Sequence, residues 1–172
     1  MGSRRLIRFL PLACALGLLA LPASALAGDT RKVFVMDRCE PESFDAVVGP
    51  GTCVRNGGVT FDKFARRVNP KDGGHNAWRF GPDHLKLRSG QTLTAINTGG
   101  ETHTFTEVSA FGTGIVDFLN AALPPGTPPA VPVGDLGFMS AGDTLTVGPL
   151  SPGTYMFECL IHPWMRTTVT QG

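Results

Sequence analysis

Tyr155-Met156-Phe157-Glu158-Cys159-Leu160-Ile161-His162-Pro163-Trp164-Met165 is the stretch from which the rest of the chain can be read. Its first half sets Tyr155, Phe157 and Cys159 against Met156 and Glu158, the period-two alternation of a half-buried strand. Its second half gathers a thiol, an imidazole and a thioether, Cys159, His162 and Met165, within seven residues. They fall where that strand ends and a last one, Met165 to Thr170, begins.

Working back from this segment, Pro149 to Gly153 makes a turn and Thr144 to Val147, opened by Gly142-Asp143, makes a strand. Residues 109 to 140 form the longest connection. Its part from Asn120 to Gly134 holds Pro124, Pro125, Pro128, Pro129 and Pro132, which cannot donate to a sheet ladder, and so reads as a surface loop. His103 to Val108 alternates again, with His103, Phe105 and Glu107 on one face. Before it lie the break at Gly99-Gly100, a strand over Thr92 to Asn97, the turn Ser89-Gly90, and a strand over Leu85 to Arg88. Arg31 to Met36 is suited to a first strand. Residues 37 to 83 read as irregular, with one short helical turn at Phe61 to Val68.

With 22 glycines and 14 prolines the chain is too punctuated for long helices. Short strands separated by turns every 8 to 12 residues point to an all-β sandwich or barrel. Three arginines, an apolar run and Ala25-Leu26-Ala27 mark residues 1 to 27 as a secretory signal peptide. Ser3-Arg4-Arg5-Leu6-Ile7 partly resembles a twin-arginine export signal, an ordinary Sec leader being the plainer reading. Cys14 would be removed with it. Loss of Arg4, Arg5 and Arg8 turns the formal charge of +1 into about −2 over about 145 residues, enough for one domain. That charge disfavours a nucleic-acid binder, and no later apolar stretch reaches the roughly 18 residues of a membrane span. The expectation is an exported monomer, periplasmic or extracellular, in an oxidising compartment.

Three cysteines remain beyond the leader, an odd number for such a compartment. The simplest pairing joins Cys39 to Cys53, closing a loop of about 15 residues worth on the order of 3 kcal/mol. Cys159 is then free, either as an inert core thiol or as a ligand. Its neighbours favour the second. Sulfur and imidazole donors together select copper, and a His2Cys plane with a weak axial Met is the blue-copper arrangement. His103, directly after a Gly-Gly turn, is the best second histidine. His75 and His84 are spare and have no neighbouring ligand.

Asn97-Thr98-Gly99-Gly100-Glu101-Thr102-His103 and the loop from Tyr155 to Met165 together resemble the cupredoxins, the family of plastocyanin, pseudoazurin and amicyanin. The Cys-x-x-His-x-x-Met spacing is that of amicyanin. The resemblance covers about Leu85 to Val169, so the chain divides into an extension over 28–83 and a core over 84–172, forming one domain. It implies a Greek-key β-sandwich, a metal set of His103, Cys159, His162 and Met165, one copper ion cycling between Cu(I) and Cu(II), and one-electron transfer to a redox partner protein. His162 is expected to be the ligand nearest solvent, with Pro163 and Trp164 as apolar shoulders of an electron-transfer surface. Thr104 stands where the family usually has Asn to latch the ligand loops.

Rival readings differ in chemistry. A copper carrier or buffer would use the same donors without cycling the ion. Zinc would leave Met165 idle, and a Cys-His hydrolase would need an oxyanion hole of which no segment gives a sign. Multicopper oxidases need more histidines than the four present, a binuclear centre needs a second cysteine in the loop, and a metal-free adhesion sandwich is the plainest residue.

Overall fold

The computed structural model describes residues 29–172, so the expected leader and Cys14 lie outside the described residues. Ten strands and three short helices follow. They are β1 (Thr30–Met36), α1 (Pro41–Val47), α2 (Phe61–Ala65), β2 (Arg79–Gly81), β3 (His84–Leu87), β4 (Thr92–Asn97), β5 (His103–Thr104), β6 (Thr106–Val108), α3 (Asp117–Asn120), β7 (Phe138–Met139), β8 (Thr144–Val147), β9 (Gly153–Glu158) and β10 (Arg166–Gln171).

Two four-stranded sheets face each other, one ordered β2-β1-β4-β8 and the other β3-β10-β9-β6. Alternation decides which side chains meet between them. Val33 and Val35 of β1 and Leu93 and Ala95 of β4 are fully buried, while Phe34 between the two valines points out. Leu85, Leu87, Phe157 and Val169 answer from the second sheet. Each such side chain contributes roughly 1.5–3 kcal/mol by leaving water. β1 runs parallel to β4, and β3 parallel to β10, so neither pair can be closed by a hairpin. The chain instead crosses between the sheets from β3 to β4.

The strands expected from alternation are present within a residue or two, with one difference. The run from His103 to Val108 is not one strand. β5 pairs with β7, whereas β6 pairs with β9 in the second sheet. The switch falls at Phe105, whose N–H bonds to Gly137 O at 2.9 Å and whose ring stacks on Phe157 at 4.5 Å. Burying that ring bends the strand, and Glu107 consequently does not share the interior with His103.

The segment from 37 to 83 is more regular than expected. Glu40 caps α1, its carboxylate accepting from Glu42 N and Ser43 N at 3.2 and 2.8 Å, and Pro41 occupies the first turn, where its missing N–H costs nothing. The Cys39–Cys53 disulfide is formed, and Asp45 closes its loop by accepting from Gly51 N and Cys53 N. The helical turn expected at Phe61 stops at Ala65 as α2. Phe44, Phe61, Phe64 and Trp78 pack as one aromatic cluster, with neighbouring ring centroids 4.5–6.0 Å apart. The proline-rich loop lies on the surface as expected but is fastened to the sheet edge. Pro128 O accepts from Thr113 N at 2.8 Å and Val131 O from Ser109 N at 2.9 Å, while Ala130 N donates to Thr113 O at 3.0 Å and Val133 N to Glu107 O of β6 at 2.8 Å. Ala122 and Leu123 at its start are buried.

Candidate metal centre

Four separate pieces of chain meet at one end of the sandwich. β4 ends at Asn97, whose buried amide donates to Glu101 O and Met139 O at 2.8 and 3.0 Å and so shapes the turn that delivers His103. Gly99 and Gly100 in that turn are required by proximity. A Cβ on Gly99 would lie 1.8 Å from Asp37 Oδ2, and one on Gly100 2.7 Å from Cys39 Sγ. Asp37, just past β1, fills the space Gly99 leaves, and Cys39 with the Arg55 backbone fills that at Gly100. The other ligands come from the loop between β9 and β10, tied by Cys159 N to Met165 O at 3.0 Å and Met165 N to His162 O at 2.9 Å.

His103, Cys159 and His162 come together there, all buried. Cys159 Sγ stands 3.7 Å from His103 Nδ1 and 3.9 Å from His162 Nδ1. Donors bound at about 2.0 Å to nitrogen and 2.3 Å to sulfur, roughly 120° apart, are about 3.8 Å from each other. Both sulfur–nitrogen separations are thus those of donors that share one ion, and the three ligand atoms all lie within 4.8 Å of one another. Met165, the fourth residue expected from sequence, is fully buried in the same loop, its backbone bonded to those of Cys159 and His162.

The remaining imidazole nitrogens are directed at carboxylates. His103 Nε2 is 2.8 Å from Asp37 Oδ2, and His162 Nε2 is 3.9 Å from Glu101 Oε2. Nε2 holds its proton toward Asp37, so when Nδ1 gives up its own proton it is Nδ1 that offers a lone pair to a metal. Asp37 also accepts from Cys39 N, Gly100 N and Glu101 N. Burial alone would push its carboxyl up, but His103 and these N–H groups outweigh burial and hold it down at about 2. Burial likewise disfavours charge on His103, yet Asp37 and Cys159 push it up to about 10. The Cys159 thiol, which burial would raise, is held well below its usual range by the two histidines. Thr104 N and His162 N both donate to its sulfur at 3.4 Å. The site is therefore set up for a thiolate, the form that binds metal.

Thr104 does the latching for which the usual Asn is absent. Its Oγ1 accepts from Leu160 N at 2.7 Å, joining the His103 strand to the ligand loop. His162, at 2 % exposed, is the least buried of the four expected ligands, the other three being at 0 %, but its ring does not reach the surface, and Pro163 is buried too. Phe64, Trp78 and Trp164 surround its ring at 6.0, 6.5 and 5.4 Å. The extension over 28–83, which carries α1, α2 and Trp78, is what covers it. Only Trp164 of the three surface residues expected there remains partly open to solvent.

His75 packs against Trp78 and His84 is largely exposed beside Asp83; neither joins a metal-binding group among the described residues. Asp37, Cys39 and Glu101 also lie close together, but Cys39 is spent in the disulfide and offers no thiolate. Sequence reasoning passed over Asp37 and Glu101. The signal for Asp37 was indirect: two adjacent glycines before a ligand announce a close approach without saying by what. Glu101 is 7 % exposed, and its Oε2 accepts from Trp78 Nε1. Burial raises its carboxyl above the ordinary value.

No family model matches the chain, and no curated protein does. Among solved structures it is similar to a purple cupredoxin from Nitrosopumilus maritimus, at 15 % identity over 82 % of this chain and 98 % of that one, with a TM-score of 0.43. An oxidised plastocyanin from Dryopteris crassirhizoma is similar at 16 % identity over 83 % and 100 %, with a TM-score of 0.41. A mutant of amicyanin is similar at 20 % identity over 55 % and 73 %, with a TM-score of 0.38. At these scores the likeness adds nothing to the reading of the site, which stands on its own distances. A two-sheet β-sandwich brings His103, Cys159 and His162 together at one end, with Met165 buried in the same loop as the last two, a cluster consistent with a type 1 copper site.

Proposed function

We propose that the protein binds one copper ion through His103, Cys159, His162 and Met165 and carries single electrons between redox partners. The observation that supports this most directly is the pair of 3.7 and 3.9 Å separations between Cys159 Sγ and the two Nδ1 atoms, in a buried pocket that stabilises the thiolate. Bound copper would supply a one-electron couple. The chain's own groups do the rest. Asp37 orients His103, Thr104 fastens the two ligand segments together, and two backbone N–H groups hold the sulfur in place. A frame so fixed in advance has little to rearrange when charge at the centre changes by one.

Burial also bears on the choice between cycling an ion and handing it over. Ligands that are at most 2 % exposed, under a lid of Phe64, Trp78 and Trp164, oppose rapid release of the ion, which favours electron transfer over carriage. Trp164, in contact with the His162 ring and partly open to water, is the proposed exit for the electron, to a partner protein outside the cytoplasm. The Cys39–Cys53 disulfide supports that setting.

Addition of Cu(II) to the metal-free protein is expected to give an intense visible thiolate-to-copper band that bleaches and returns on reduction and reoxidation. Cys159→Ser is expected to lose the band altogether. A colourless wild type, or a variant that keeps the colour, would overturn the assignment.

A further inference from the structure

A cavity of ≈330 Å³ opens beside the centre and shares only His162 with the donor set. Phe44 of α1, Phe61 and Phe64 of α2, Leu119 of α3, and Ile161 and His162 of the ligand loop wall it. That volume lies at the small end of ligand sites and suits a single substituted ring. Three phenylalanine faces and edges suit an aromatic ring over an aliphatic chain. The mouth is mostly apolar as well: Val48 and Phe118, 59 % and 53 % exposed, line it, with Thr52 and Thr102 the two hydroxyl-bearing residues of the lining. Exposed apolar surface that surrounds a concavity marks a place where something binds.

One carboxylate stands on this wall among the described residues, that of Glu101. Trp78 Nε1 occupies a single lone pair on Oε2, and a carboxylate has about four such sites, so accepting capacity remains. A ligand that reaches Glu101 must therefore bring a donor. An ammonium group would lose its hydration among apolar walls, whereas a neutral hydroxyl loses much less.

We propose that this cavity is a binding site for a small phenol, its ring against Phe61 and Phe64 and its hydroxyl donating to Glu101, beside the His162 imidazole. The site exists without any metal, so it does not rest on the copper assignment. Its occupant would sit against the edge of a histidine of the metal cluster, closer than a protein docked on the outside could come.

The test is titration of the metal-free full-length protein with p-cresol and with toluene, which differs from it only by lacking the hydroxyl, followed by the NMR shift of the Trp78 indole N–H. Both are expected to saturate, with p-cresol about tenfold tighter, the ordinary worth of a hydrogen bond to a charged acceptor. Val48→Trp, at an exposed position on the mouth, is expected to weaken both at least tenfold while leaving the rest of the spectrum in place. Absence of saturable p-cresol binding, equal affinity for the two probes, or unchanged binding by Val48→Trp would each overturn the proposal. Because no metal is present, failure here leaves the copper reading standing, and a colourless copper titration leaves this one standing.

Discussion

Asp37→Asn removes a single charge and changes almost no volume, yet it should be among the most damaging conservative substitutions in the molecule. Each carboxylate oxygen serves two donors: Oδ1 accepts from Cys39 N and Gly100 N at 3.1 and 2.9 Å, Oδ2 from Glu101 N and His103 Nε2 at 3.0 and 2.8 Å. An asparagine amide has one oxygen. Whichever way it turns, its NH2 faces two donors, and two buried groups lose their acceptor at about 1–3 kcal/mol each. The expected loss is about 2–6 kcal/mol, read from urea denaturation of the metal-free protein at pH 7 as a lower midpoint with an unchanged slope. The acid limb gives a second measure. In the folded protein Asp37 titrates at about 2 against an ordinary 3.8, so its contribution is complete above about pH 4 and vanishes as pH falls through 2. That difference is worth about 2 kcal/mol. Wild type should lose this amount on acidification and the Asn variant should not. A loss below about 1 kcal/mol at pH 7, or an acid limb of the same depth in both proteins, would refute the reasoning.

Two further outcomes are expected. Thr104→Val keeps shape but leaves Leu160 N without its 2.7 Å acceptor, which should cost about 1–3 kcal/mol in the same assay and shift the visible band of the copper-loaded protein; a loss under about 0.5 kcal/mol would deny Thr104 its latching role. Glu158, fully buried, is pushed up to about 7 by burial, only partly offset by Arg166 and Gly112 N. Its folded value lies above the ordinary 4.5, so its contribution is present below about pH 4.5 and is lost as pH rises through 7. Glu158→Gln should therefore stabilise the protein at pH 8, by about 1–2 kcal/mol once its contact with the partly exposed Arg166 is discounted, and give no gain at pH 4; equal effects at both pH values would contradict this.

What could be read from the chain was what is local. Cys159, His162 and Met165 declare themselves by spacing, because one loop supplies all three donors. Thr92–Asn97 and Thr144–Val147 declare themselves because one of their faces is wetter than the other. His103 needed only the adjacent glycines. The misreadings have a common origin in contacts between distant segments. Phe105 breaks its strand to stack on Phe157, more than fifty residues on. His162 is the ligand nearest solvent but does not form the open surface expected around it, because Phe64 and Trp78, roughly 80 to 100 residues earlier, lie across it. Asp37 is invisible for the same reason. Only α1 left a local trace that went unused, a capping carboxylate at Glu40 followed by proline at the first helical position.

The parallel pairing of β1 with β4 has a practical consequence for anyone tempted to trim the molecule to its motif-bearing half. A fragment beginning at His84 would forfeit two of the four strands in one sheet, laying bare a row of unpaired amides and carbonyls along β4. Such a naked border is an invitation to stick to a second copy. It would also cast off the carboxylate behind His103 and the rings over His162. The part that looks ancillary by motif is structurally half the wall.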